Sequence, residues 1–278
     1  MKRIFVVGCP RSGTTLLQSL LASNSSVISF PESHFFTALF ERRKLLRKKL
    51  RIASIHSRPN LKEFVSEIGC EEMKVYLPWY ALSLHQHTEA FVRVLDKTAS
   101  EQGKTAWVEK TPDHIRFVDF IESSIDNPLF IHIVRNGADV VASLADVTQR
   151  YPEVWDGPWD IDRCLRKWIR CAEATSRHIS KPNHHLVKYE SLVDSPSSTI
   201  ERVSNFVDIE FDLASVLDRE ADAENIVLQS EPWKAESTKS IYNTQGSKFY
   251  KLFDKTEQAY ILEEIARANL GSFDAVHI

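Results

Sequence analysis

Residues 4–24, IFVVGCPRSGTTLLQSLLASN, constrain the fold more than any other stretch of the chain. Four apolar residues run into Gly8, and after Gly13 apolar residues recur at Leu16, Leu17, Leu20 and Leu21, the spacing of one helix face. The pattern predicts a strand, a tight glycine loop and a helix. Backbone N–H groups in such a loop, together with the positive end of the helix, hold an anion without side-chain help. Arg11 adds a planar donor suited to two oxygens of one anionic group, and Ser12, Thr14 and Thr15 add hydroxyls. A turn that merely linked strand to helix would have little use for so many donors.

The anion is constrained by what the loop lacks. A Walker A loop reads GxxxxGK[ST], and residues 8–15 fit it except that Thr14 stands where the lysine would be. That lysine serves the β- and γ-phosphates of ATP, and an aspartate after another strand completes the Mg²⁺ site. No later predicted strand ends in Asp; Glu109 is the nearest substitute, so a metal-dependent kinase or nucleotide hydrolase is the minority reading. A nucleotide-binding protein without catalysis is the other alternative.

Further strands are expected at VISF (27–30), AWVEK (106–110), LFIHIV (129–134) and HLVKY (185–189), alternating with helical patterns that include a stretch from about residue 33 to 50 and another from about Ala138. The segment between Leu61 and Leu95 is helical in period, with a break at Leu77-Pro78-Trp79. Alternation of this kind means parallel pairing, helices on both sheet faces and a ligand site at the strands' carboxyl ends. The expected architecture is therefore a three-layer α/β fold over residues 1–278, with Gly8 to Thr15, Glu32, Glu109, Lys110, Arg135 and Tyr189 at the site. No repeat or Gly/Ser-rich linker divides the chain. The basic run ERRKLLRKKLR at 41–51 reads as a solvated helix face sooner than as a lid.

Composition narrows the partners. The net charge of −3 argues against nucleic acid, and no apolar run nears the length of about 20 residues that spans a bilayer, so no transmembrane segment is expected and the cytoplasm is the default location. Cys9, Cys70, Cys164 and Cys171 form no CxxC pair and lie far apart, so neither a zinc site nor a disulfide framework is indicated. A second anion site is suggested by IHIVRNGADVVASL at 131–144: Arg135 leaves a strand and Ser143 follows eight positions later. They can share one phosphate only if the helix lies back over the strand end; otherwise Arg135 is a surface ion pair and Ser143 an ordinary helix serine.

VGCPRSGTTLL followed by IHIVRNGADVVASL resembles the paired cofactor motifs of sulfotransferases that use 3′-phosphoadenosine 5′-phosphosulfate (PAPS), and LVKYESLVDSPSSTIERVSNFVDIEFD is similar to the segment that follows in them. The resemblance runs from Ile4 to about Leu252, weakest between Ala38 and Lys104, and is greatest toward bacterial and tyrosylprotein-sulfotransferase-like members. It implies a fold like that of the P-loop nucleotide hydrolases, PAPS as donor, 3′,5′-diphosphoadenosine (PAP) as product, and no metal. It assigns the 5′-phosphosulfate to Arg11, Ser12, Gly13, Thr14 and Thr15, the 3′-phosphate to Arg135 and Ser143, and the adenosine to Tyr189. Glu32 takes the place of the family's base, with His34 and His114 as rivals and a helix-start carboxylate as its ordinary explanation. Lys110 takes the place of the lysine on the sulfuryl group, and Arg11 is placed with them as catalytic. Lys248 becomes a phosphate contact and Ser237 a partner of the sulfate, in a late loop where Phe249 or Tyr250 replaces the family's usual tryptophan. The acceptor would carry a hydroxyl or amine: a small molecule, a sugar, a lipid or a tyrosine peptide.

Overall fold

The computed structural model describes residues 1–40, 51–77, 83–211 and 247–268. Strands β1 (Lys2–Gly8), β2 (Val27–Phe30), β3 (Ala106–Lys110), β4 (Pro128–Val134) and β5 (His184–Lys188) form one sheet in the order β2-β3-β1-β4-β5, every pairing parallel. The helices are α1 (Thr14–Ala22), α2 (Phe35–Leu39), α3 (Ser57–Glu67), α4 (Leu84–Glu101), α5 (Val118–Ser124), α6 (Gly137–Arg150), α7 (Ile161–His178), α8 (Tyr189–Asp194), α9 (Pro196–Val207), α10 (Ser247–Leu252) and α11 (Lys255–Arg267). Successive strand residues face opposite sides. Ile4 and Val6 therefore meet Leu17 and Leu20 of α1 and Ile200 of α9 on one face, while Phe5, Trp107 and Phe130 join Phe91 of α4 and Trp168 of α7 in the core of the other. The central strand β1 is apolar and buried from Ile4 to Val7 because both faces of the sheet are covered.

Pairing in register brings the strand ends together. Val6 lies opposite Lys110 and Gly8 opposite Ile133, so the residues leaving β1, β3 and β4 emerge at one edge, as expected from the sequence. Two boundaries differ. Tyr189 opens α8 instead of ending β5, because Lys188 pairs with Val134, the last residue of β4, and nothing remains beyond it to pair with. The helix expected from residue 33 begins at Phe35 and ends at Leu39; residues 41–50 of the basic run lie outside the described residues. The middle segment resolves into α3, a 3₁₀ turn (Glu71–Tyr76) and α4, whose start carries a capping box between Ser83 and Gln86.

A buried carboxylate fixes the end of β3. Glu109 is fully enclosed and accepts from Ser33 Oγ at 2.8 Å, Thr111 Oγ1 at 2.6 Å and His114 Nδ1 at 2.9 Å. These donors come from the turn after β2, the turn after β3 and the 3₁₀ helix Pro112–Phe117. Burial pushes the Glu109 carboxyl up, but its interaction with the His114 ring and the hydrogen bonds of the two hydroxyls outweigh it and hold the group below its ordinary value. A carboxylate lowered in the folded state contributes stability that is present above its unfolded value of about 4.3 and is lost as pH falls through the lower folded value. Glu109→Gln is therefore expected to destabilise the fold at neutral pH by roughly 1–3 kcal/mol, the usual cost of leaving buried hydrogen-bonding groups unsatisfied. Urea melts across the acid range should show that the variant loses less stability than the parent between about pH 5 and about pH 3.

Candidate active site

The loop after β1 is shaped by two residues with positive φ, Arg11 at 72° and Gly13 at 90°. Gly13 is required twice over: its φ suits glycine, and a Cβ there would sit 2.3 Å from the ring of Tyr189. Gly8 has no room either, since a Cβ would lie 2.4 Å from the carbonyl oxygen of Ile133. Ser12 N–H donates to the Cys9 carbonyl at 3.2 Å and closes the turn, and Thr14 and Thr15 open α1. The Ser12 hydroxyl is buried and has no hydrogen-bond partner among the described residues. A buried polar group left without a partner normally costs free energy, so an orphaned hydroxyl inside a glycine loop marks a place for a ligand oxygen.

The two anion motifs flank this one loop. The Arg11 guanidinium donates through Nε to Ser143 Oγ at 3.2 Å, which brings α6 back over the loop. Arg135 lies on the neighbouring side, its guanidinium carbon 4.3 Å from the centroid of the Tyr189 ring that packs on Gly13. It also approaches Asp139 at 3.5 Å, and its Nε is buried without a partner among the described residues. Arg135 leaves β4 under tight control: Trp168 Nε1 donates to its carbonyl at 3.2 Å, and the next N–H, of Asn136, donates to Glu190 at 2.8 Å. Trp168 and Glu190 are positioning residues that the sequence did not single out. Trp168 sits on α7, which is dense in charge yet buries Cys164, Leu165, Trp168, Cys171 and Thr175 along one side, a helical period that would have disclosed it.

At the carboxyl ends of β2 and β3 lies a second pair. Lys110 Nζ donates to Glu32 Oε1 at 2.5 Å, with the side chains 2% and 10% exposed. Strand alternation sends Glu109 into the core and its neighbour Lys110 to the other face. Of the rival bases, His34 is more than half exposed and stands 3.6 Å from Glu32 Oε2. His114 is enclosed with both ring nitrogens engaged: Nδ1 donates to Glu109 and Nε2 accepts from Phe36 N–H at 3.3 Å. Glu109, the nearest stand-in for a metal-binding aspartate, has its oxygens committed to protein donors. Lys248, on α10, pairs with Asp146 at 2.6 Å, one turn beyond Ser143 on α6. Phe249 is buried and Tyr250 exposed; Ser237 lies outside the described residues.

The donor set fits an adenosine carrying anionic groups at both ends: a glycine cradle with an orphaned hydroxyl, a guanidinium with an orphaned Nε, and a tyrosine ring between them. Among known proteins, the chain is 22% identical over 213 residues to a protein-tyrosine sulfotransferase of Drosophila melanogaster, an alignment covering 75% of this chain and 38% of that one. It thus spans less than half the length of that relative. The sulfotransferase domain of the Synechococcus PCC 7002 olefin synthase superposes with a TM-score of 0.60 at 17% identity, covering 96% of this chain and 94% of that one. A mouse sulfotransferase crystallised with PAP gives 0.56 at 12% identity, covering 99% and 86%. These likenesses establish the shared fold, the parallel sheet of a P-loop protein flanked by helices. The profile of the Sulfotransferase family matches residues 3–213, three quarters of the sequence, and the chain belongs to that family.

Proposed function

We propose that the chain transfers a sulfuryl group from PAPS to an acceptor hydroxyl or amine by in-line displacement. The observation that carries the reading is the enclosed Lys110–Glu32 pair at the carboxyl end of β3, the strand paired with the β1 that runs into the glycine loop. The donor, when bound, supplies an activated sulfuryl group on a phosphate that departs as PAP. The chain's own residues then divide the work. Ser12, Thr14, Thr15 and the backbone of Gly13 hold the 5′ groups with Arg11, whose bond to Ser143 ties the two anion motifs to each other. Arg135 takes the 3′-phosphate and Tyr189 the adenine. No γ-phosphate needs neutralising, which accounts for Thr14 in the place of a Walker lysine.

Glu32 accepts the proton of the attacking hydroxyl, and Lys110 stabilises the charge that grows on the departing oxygen. The engagement of both His114 nitrogens favours Glu32 as base. Lys248 and Ser237 are proposed donors to the phosphate and sulfate on the family pattern alone. The acceptor remains within four classes: small molecule, sugar, lipid and tyrosine peptide. Radiolabelled PAPS offered with one acceptor of each class tests activity and acceptor together, and no transfer to any of them counts against the proposal.

Donor binding should show first in stability. Ligand bound only to the native state raises stability by about 2.7 kcal/mol at a hundredfold excess over Kd. For a domain of this size that raises Tm by roughly 5–10 °C. Differential scanning fluorimetry with PAP and no Mg²⁺ should show this rise, with ATP doing little. A rise with Mg-ATP and none with PAP would replace the reading with a kinase.

Single substitutions should separate binding from chemistry. Arg135→Ala removes a charge-assisted contact remote from sulfur, so PAP affinity should fall by about 10- to 100-fold while turnover at saturating donor changes little. Glu32→Gln keeps shape and removes basicity: PAP affinity should stay near normal and turnover should fall by about 10²- to 10⁴-fold. His34→Ala should cost far less than Glu32→Gln. Near-normal turnover in the glutamine variant would return Glu32 to the role of a helix-start carboxylate.

A further inference from the structure

A second polar cluster is built at the amino-terminal ends of β4 and β5, where none of the residues assigned to the donor or the acceptor lies. His132 is inside β4, His184 opens β5, Glu122 is on α5, His178 is the last residue of α7, and Lys181 follows it. Glu122 Oε1 lies 3.0 Å from His184 Nε2, His184 Nδ1 lies 2.7 Å from His132 Nε2, and His132 Nδ1 lies 3.1 Å from Thr175 Oγ1. An ionised carboxylate only accepts, so His184 donates through Nε2, His132 donates to His184, and Thr175 donates to His132. Lys181 Nζ donates to Glu122 Oε2 at 2.5 Å and to His178 Nδ1 at 3.1 Å. The ring proton of His178 is thereby placed on Nε2, 3.6 Å from Asp119.

We propose that Glu122, His178 and His184 form a site for a divalent transition metal of the zinc type, in which the Lys181 ammonium holds the cation position until a metal displaces it. Their ligand atoms lie within 4.8 Å of one another, and tetrahedral bonds of about 2.1 Å would set them about 3.4 Å apart, a closure the partly exposed Glu122 side chain can make. Two imidazoles and one carboxylate suit zinc, cobalt or nickel better than magnesium or calcium, and leave a fourth position for water.

The groups behind the ligands are present as well. His178 carries its proton on the nitrogen turned toward Asp119, 3.6 Å away, which the exposed carboxylate would have to approach to complete a carboxylate–histidine–metal arrangement. His184 reaches the same state when its proton and that of His132 each move to Nδ1, so that His184 donates to His132 and His132 to Thr175; both rings stay neutral and no proton is lost. His178, the last residue of α7, lies at the negative end of that helix. The Lys181 side chain is 39% exposed, so its ammonium can leave for water without being stranded.

Titration of the metal-stripped full chain with Co²⁺ should give one equivalent bound with the visible absorption of a tetrahedral site, bleached by Zn²⁺. Lys181→Met, which keeps the stem and removes the competing charge, should bind Co²⁺ at least about 10-fold more tightly. Glu122→Gln and His178→Ala, checked for a cooperative melt, should each bind at least about 10-fold more weakly. Absence of the tetrahedral band in the parent overturns the proposal, even if Lys181→Met shows it, because Lys181 is then a permanent occupant. Unchanged binding in both Glu122→Gln and His178→Ala overturns it by moving the metal elsewhere on the chain.

Discussion

The site depends on a carboxylate that takes no part in its chemistry. Glu109 gathers hydroxyls from the turns after β2 and β3 and an imidazole from the 3₁₀ helix beyond, so two loops that share no backbone pairing are fixed to each other. Glu32 immediately precedes Ser33, and Lys110 sits between Glu109 and Thr111. Holding Ser33 and Thr111 on one buried anion therefore helps set the distance between Glu32 and Lys110. Removing one hydroxyl donor would leave the carboxylate short of a partner in a place water does not reach, which makes the arrangement close to all-or-none.

The phosphate loop obeys a different constraint, that of space. Gly8 and Gly13 let the backbone pass against Ile133 and Tyr189 at distances no side chain permits. Tyr189 in turn carries Arg135 across its face, so ring, guanidinium and loop form one packed unit. The buried donors left over, Ser12 Oγ and Arg135 Nε, are costly in the absence of an anion. The strand that leads into the loop is firmly held: β1 pairs with β3 from Lys2 to Val6 and with β4 from Arg3 to Gly8.

Much of this was legible in the sequence. Strand-loop-helix at residues 4–24 follows from an apolar run, two glycines and a helical period, and the strand ends follow from parallel pairing, so Glu32, Lys110, Arg135 and Tyr189 could be named before any coordinates. The partner choices could not. Ser143 was expected beside Arg135, yet its hydrogen bond is to Arg11, because the face α6 turns toward the loop is decided by packing against α7. Glu109 read as a stand-in metal ligand, since nothing in AWVEK says that three donors from elsewhere will converge on it. The Glu122, His178 and His184 cluster spans more than 60 positions and has no spacing that a motif would reveal; only the crossing of α5, α7 and β5 assembles it.

The Lys110–Glu32 pair gives the proposed reaction a natural order of events. The two side chains are 2% and 10% exposed and lie against each other. An ammonium shared with Glu32 gives less of its charge to a departing oxygen, and a carboxylate bonded to Lys110 is a weaker base. An anionic donor arriving beside Lys110 competes for the ammonium, and whatever share of that bond it takes is returned to Glu32 as basicity. In the proposed reaction the carboxylate would thus become a base only when a group to attack is present, and donor occupancy, transmitted through one lysine, would be the condition for removing the acceptor's proton.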